Sequence, residues 1–356
     1  VIPPDIVAVT DYEPHARLRM GENAWAYVSG GAADEQTLAE NRAAFARLRL
    51  NGRVLAELGQ AHTRLTLFGQ DLAHPILVAP TAFHRLLHPE GEAATATGAS
   101  AMQAAMVVST QASLPLEAIA AHAVPRPWFQ LYVQPDRPFT QALVRRAEQA
   151  GYAALVVTVD APVSLRNREQ RAGFRLPAEV EAVNLRGAAA LPAGEGVFGG
   201  VLQGAAGWGD IEALRRQTRL PLLLKGITTP GDARRALAAG ADGLVVSNHG
   251  GRVLDGQPAS IEVLADVAGA VAGCVPLLLD GGIRRGTDVL KALALGARAV
   301  LVGRPVLYGL ALAGATGVAH VLKLLRTELE VAMAQTGCAT LGAVTSDILW
   351  QGNAAR

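Results

Sequence analysis

Short apolar runs recur along the chain, each followed by a stretch with helical character. The runs are Pro75–Ala79, Ala105–Ser109, Trp128–Tyr132, Ala154–Asp160, Pro221–Lys225, Gly243–Ser247, Pro276–Asp280 and Ala299–Gly303. They are nearly continuous, which indicates strands buried on both faces, paired in parallel and joined by helical crossovers. Between them, Asp232 to Ala239 and Thr287 to Leu295 are rich in alanine and leucine and stop at Gly240 and Gly296, as glycine-capped helices do. Ala239-Gly-Ala-Asp-Gly243 and Leu295-Gly-Ala-Arg-Ala299 repeat one helix–turn–strand unit. Eight strands alternating with helices predict an α/β fold, a (β/α)8 TIM barrel. An open doubly wound sheet would need a switch point, and the rhythm shows no break.

Two segments depart from this rhythm. Residues 1–70 precede the barrel and read as helices and a short hairpin capping one end of the same domain, with residues 71–356 as the barrel proper. Residues 175–210, rich in Gly, Ala and Pro, form a long insertion after the fourth strand and read as a mobile lid. The insertion contains Gly194-Glu-Gly-Val-Phe-Gly199, a formal GxGxxG match. No strand precedes it and no clear helix follows, so a dinucleotide site is not expected there.

Composition narrows the class. Of 356 residues, 50% are hydrophobic and 18% charged, enough for a large core and too apolar for wholesale disorder. With a formal net charge of +1 and no basic block, neither nucleic acid nor an anionic membrane surface is an expected partner. Cys274 and Cys338 are far apart and show no metal or CxxC spacing, so no disulfide framework is expected and a reducing cytoplasm is the expected compartment. The charged first twenty residues do not read as a secretion signal, and Ala354-Ala355-Arg356 does not read as a peroxisomal address. No stretch is read as approaching ~18 uncharged apolar residues, so no membrane span is expected.

Polar residues stand at the strand C-termini: Thr81, Ser109, Tyr132, Asp160, Lys225, Ser247 and Asp280. In barrels that end carries the active site. The most informative segment is Ser247-Asn-His-Gly-Gly-Arg252, which places an imidazole and a guanidinium just past a strand. A base beside an anion clamp suits an acid substrate that must lose a proton. His249 has a near-neutral reference pKa, and Asp160 is the best candidate to orient it. Arg252 and Arg166 are candidates to converge on a substrate carboxylate. Asp280-Gly281-Gly282-Ile283-Arg284 and Gly303-Arg304 end the last two strands, where barrels commonly hold a phosphate. HExxH, Walker and GxSxG motifs are absent from the sequence.

Together these residues resemble the FMN-dependent L-2-hydroxy acid oxidase and dehydrogenase family, to which glycolate oxidase, lactate oxidase, mandelate dehydrogenase and the flavin domain of flavocytochrome b2 belong. The resemblance runs from about Asp11 to about Cys338. Its most specific motif is Ser247-Asn-His-Gly-Gly-Arg-Val-Leu-Asp255, supported by Thr37–Asn41, Ala79–Ala82, His88–Glu92, Phe129–Tyr132, Leu224–Gly226 and Asp280–Asp288. It implies FMN as cofactor and His249 as the base, with Asp160 as its partner. It implies Tyr132 on the substrate hydroxyl, and Arg252, Tyr27 and Arg166 on the carboxylate. Lys225 would stand by flavin N1. Pro80, Thr81, Ala82, Ser109, Gln130, Thr158 and Ser247 fall among the cofactor-site positions, with Asp280, Gly281, Gly282, Arg284, Gly303 and Arg304 at the ribityl-phosphate end. A homotetramer is also implied.

The sequence departs from the family pattern in three places. The segment Asp160 to Phe174 is one residue short, so Arg166 is preferred as the second carboxylate clamp and Arg168 stays open. Gln111 stands where plant glycolate oxidase has tryptophan, and Val28 replaces an aromatic. The expected reaction is oxidation of an L-2-hydroxy acid to the 2-oxo acid. Ala82 and the weakly apolar insertion lean towards dioxygen as acceptor, giving hydrogen peroxide; a dehydrogenase using a quinone or cytochrome is the alternative. Hydride and carbanion routes both remain open. Flavin-dependent isomerases and nucleotide dehydrogenases share this phosphate site. The latter would want a reactive cysteine, and neither cysteine ends a predicted strand.

Overall fold

The computed structural model describes residues 1–189, 196–199 and 201–351. A hairpin, β1 (Leu65–Leu67) and β2 (Gln70–Leu72), precedes eight parallel strands. These are β3 (Ile76–Val78), β4 (Val107–Ser109), β5 (Trp128–Leu131), β6 (Leu155–Thr158), β7 (Leu222–Ile227), β8 (Gly243–Val246), β9 (Leu277–Asp280) and β10 (Ala299–Val302). Each lies within or against one of the eight apolar runs. The sheet order β3-β10-β9-β8-β7-β6-β5-β4 is closed by a parallel bridge from Val78 to Met106. Closure makes this a TIM barrel and rules out the open sheet.

Period two explains why both faces are apolar. One alternate set, including Leu77, Val107, Trp128, Val156, Leu223, Val245, Leu278 and Leu301, forms a single cluster drawn from all eight strands, the barrel interior. The other set, including Val78, Val108, Phe129, Val157, Leu224, Val246, Leu279 and Val302, packs outward under the helices. Two residues along the inward set, the apolar layer gives way to Ser109, Gln130, Thr158, Lys225, Ser247 and Asp280. The polar layer therefore lies at the C-terminal mouth.

The N-terminal segment serves both ends of the barrel rather than one. Leu67 and Leu72 of the hairpin join the interior cluster from below, and Phe68 meets Trp128 edge to face at 5.5 Å. Helices α1 (Tyr12–Arg19), α2 (Glu22–Ser29) and α3 (Gln36–Arg47) follow one another before it, and Tyr27 and Val28 of α2 reach the opposite mouth.

The described flanks of the 175–210 insertion are anchored. Asn184 is buried, accepts from the Leu116 N–H at 3.0 Å and donates to the Leu114 carbonyl at 3.1 Å. Arg137 holds Asp210 at 2.7 Å and the Gly204 carbonyl at 3.1 Å. Of the glycine motif, Gly196–Gly199 form one helical turn, while Gly194 and Glu195 lie outside the described residues, as do Ala354 to Arg356.

One expectation needs correction. The helical run Arg304–Gln335 contains an 18-residue window apolar enough to cross a membrane, which the count of uncharged residues overlooked. Its environment explains it: 67% of that window is buried against the barrel, and the backbone breaks at Ala313 and Gly314 into two shorter helices. The helical halves meet closely enough that a Cβ on Gly317 would stand 1.9 Å from the Gly309 carbonyl oxygen.

Candidate active site

A cavity of about 380 Å³ opens at the C-terminal mouth, within the range of small-molecule sites. The strand ends and the loops after them supply its walls, because the inward polar layer stops where the strands stop. Pro80, Thr81, Ala82, Ser109, Gln111, Gln130, Tyr132, Thr158 and Lys225 line it, together with Tyr27 and Arg166. His249, Arg252, Asp280, Gly281, Gly282, Arg284, Gly303 and Arg304 complete the predicted set. Asp160 and Ser247 stand just behind this wall.

His249 Nδ1 lies 2.9 Å from Asp160 Oδ1, which leaves Nε2 towards the cavity, 3.5 Å from the Tyr132 hydroxyl. Two local features fix this pair. Gly226 (φ 111°) lets β7 pass so close that a Cβ there would stand 2.5 Å from that of Asp160. On the other side, His249 itself adopts a left-handed φ of 57°, a strained backbone for a residue with a Cβ. The turn is held by Ser247 Oγ, which accepts the His249 N–H at 3.0 Å. It is held again by a reciprocal amide pair, Asn248 with Asn41 of α3, at 2.8 and 2.9 Å.

Burial, reinforced by the Lys225 ammonium, lowers the His249 pKa against the opposing pull of Asp160. Burial would raise Asp160, but His249 and Lys225 outweigh it and hold the carboxylate below its usual range. Burial pushes the Tyr132 hydroxyl up to about 12, so it stays a donor. Both directions favour the form a base needs, an imidazole free to take a proton at Nε2 with a carboxylate behind it.

Lys225 is buried, donates to Ser247 Oγ at 2.9 Å and pairs with Asp280 Oδ2 at 3.0 Å. Burial works against its charge, and the Asp280 and Asp160 carboxylates more than compensate, raising its pKa. Thr81 is tied at 2.6 Å to buried His84, whose other nitrogen meets Thr95 at 2.9 Å. Sequence reasoning assigned neither His84 nor Thr95 a place.

At the far end Arg284 donates to the Ile283 carbonyl, and Arg304 to the carbonyls of Val28, Gly250 and Gly30. Neither guanidinium has a carboxylate partner among the described residues. Burial, then the charge of Arg252, lowers Arg304 to about 9.

Arg252 and Arg166 do converge on a carboxylate, but it belongs to the chain. Arg252 Nη1 donates to the carbonyls of Tyr27 at 2.7 Å and Gly30 at 2.8 Å. Its Nη2 lies 2.9 Å from Glu169 Oε1, and Arg166 Nη1 lies 3.3 Å from the same oxygen. Arg168 turns away to Ser29 and Glu35. Glu169 had no signal in the sequence: it sits in the uniformly polar stretch Asn167–Arg171, which forms a five-residue helix.

Comparison with known proteins decides the family. The model for FMN-dependent dehydrogenases matches residues 16–351. This chain belongs to that family. An L-lactate oxidase of Alicycliphilus denitrificans (strain DSM 14773 / CIP 107495 / K601) is 50% identical over 98% of this chain and 97% of its own. A peroxisomal (S)-2-hydroxy-acid oxidase of Oryza sativa subsp. japonica is 45% identical over 98% of both chains. Among solved structures, a mandelate oxidase with (S)-2-phenylpropionate superposes with a TM-score of 0.89 at 45% identity, covering 97% of this chain and 98% of that one.

The cavity fits the cofactor of an FMN-dependent dehydrogenase. Arg284 and Arg304, lacking carboxylate partners among the described residues, lie beside the N-terminus of the helical run Arg304–Gln335, the end of a helix that favours an anion. That donor set suits a phosphate. Among the described residues Asp280 Oδ1 is buried without a hydrogen-bond partner, as suits an acceptor for a hydroxyl.

Proposed function

We propose that this FMN-dependent dehydrogenase oxidises an L-2-hydroxy acid to the 2-oxo acid and passes the electrons to dioxygen. One observation carries the reading: an imidazole, oriented by a buried carboxylate, opens onto the same cavity as two guanidiniums. The names of the relatives support it, since they are lactate, mandelate and (S)-2-hydroxy-acid oxidases.

In this proposal Arg252, Arg166 and Tyr27 bind the substrate carboxylate, and the Tyr132 hydroxyl donates to the substrate hydroxyl. His249 Nε2 takes one proton as the substrate is oxidised, and Asp160 stabilises the resulting imidazolium. Bound FMN supplies the two-electron acceptor. Pro80 to Ala82, Ser109, Gln130 and Thr158 would border its ring system. Lys225 would hold positive charge beside the ring as negative charge builds there. Asp280, Arg284, Gly303 and Arg304 would hold the ribityl phosphate.

The test is an anaerobic visible spectrum of the holoenzyme with glycolate, L-lactate and L-mandelate added in turn. Bleaching by one of them, followed by fast return of colour with hydrogen peroxide on admitting air, is expected. Bleaching with slow return in air would instead favour a quinone or cytochrome acceptor. A flavin that no hydroxy acid bleaches overturns the reading.

A further inference from the structure

The clamp proposed for the substrate carboxylate is already engaged. Arg252 spends Nη1 on two backbone carbonyls, so Nη2 and Arg166 Nη1 are the donors it and Arg166 turn to Glu169 Oε1. Glu169 lines the cavity and its side chain is 14% exposed, so this is an ion pair inside the site rather than at the rim. The short helix that carries it lies as a strap across α2. Arg168 fastens the strap to Ser29, Phe174 stacks on Tyr27 at 4.8 Å, and the Ala33 N–H donates to the Leu165 carbonyl at 3.0 Å. The strap is thus fixed at both ends around Glu169.

We propose that Glu169 is an internal competitor for the substrate carboxylate, exchanging with it on Arg252 and Arg166 at each turnover. This rests on those two arginines being the substrate clamp. A monocarboxylate and the Glu169 carboxylate carry the same charge and need the same N–H groups, so one enters as the other leaves. The exchange keeps both guanidiniums partnered throughout, which matters because an unpaired buried charge is costly. It also acts on the way out, since the 2-oxo acid keeps the carboxylate and Glu169 can take its place. Affinity for the acid is then set by a difference between two similar ion pairs.

The test is binding of propionate, a carboxylate with no hydroxyl to oxidise, followed by the flavin difference spectrum of the holoenzyme. Glu169→Gln removes the competing charge and should tighten propionate about tenfold, corresponding to ~1.4 kcal/mol. Glu169→Asp keeps the charge, shortens the reach and should tighten it less. Propionamide, which cannot compete for the charge, should bind all three proteins alike. In turnover, KM for the hydroxy acid should fall in Glu169→Gln by a similar factor. Equal or weaker propionate binding by Glu169→Gln in an enzyme still bleached by a hydroxy acid overturns this proposal and leaves the function standing. It would make Glu169 a brace that orients the arginines. Failure of propionate to perturb the flavin in any of the proteins would overturn the clamp itself, and this proposal with it.

Discussion

At the N-terminal end of the barrel, Trp128 Nε1 donates to Gln70 at 2.7 Å and Gln70 donates to the Arg126 carbonyl at 3.0 Å. At the C-terminal end, Asp160 Oδ2 and Asp280 Oδ1 are buried with no partner among the described residues, and burial, together with the neighbouring guanidiniums of Arg252, Arg284 and Arg166, lowers the pKa of Arg304. The same strands build both ends. One end is finished by the chain itself, with a hairpin as its plug. The other keeps hydrogen-bonding capacity that only bound molecules complete. The first end is closed by packing and the second is lined for chemistry, and substitutions should separate stability from activity.

The largest separation is expected from His249→Ala. Anaerobic flavin reduction should slow by ~10²–10⁴ while FMN content and melting temperature stay near wild type. Near-normal reduction would remove His249 as the base. Leu67→Ala, at the plugged end, should do the reverse. It opens space in the interior cluster and should lower the unfolding free energy by about 2–5 kcal/mol in denaturant titrations. The reduction rate of the folded fraction should not change, and a large loss there would show that the two ends are coupled. Arg252→Lys is the smallest of the three. It keeps the charge and loses the fork that bridges the Tyr27 and Gly30 carbonyls and a carboxylate. A loss of about 10–100-fold in kcat/KM is expected, and an unchanged value would dismiss the planar clamp.

The barrel was legible because burial on both faces leaves an unmistakable apolar run at each strand. The same rhythm located the mouth, since the residue that ends each run is the first one free to be polar. Asp160 and His249 could be paired on paper because both follow strand ends at one rim. Glu169 could not, because nothing in Asn-Arg-Glu-Gln-Arg distinguishes a pocket-facing carboxylate from a solvated one. The two-ended role of the N-terminal segment was hidden for a related reason. Its helices and hairpin are adjacent in sequence, yet the contacts that send them to opposite ends are made with strands still to come. The membrane-length window in Arg304–Gln335 shows the converse failure, where composition misleads until packing is known.

The reciprocal amide pair of Asn41 and Asn248 also sets a schedule. During synthesis Asn41 leaves the ribosome 207 residues before its partner, an interval of roughly 10–40 s at 5–20 residues per second. Barrel closure comes later still, because β3 pairs with β10 through Val78 and Val302. Until then the first strand presents an open, apolar edge, the kind of surface that chaperones cover and that aggregates recruit. Most residues of the oxidising site are thus made before the site exists, and the nascent chain gains its activity only after β10 has been made.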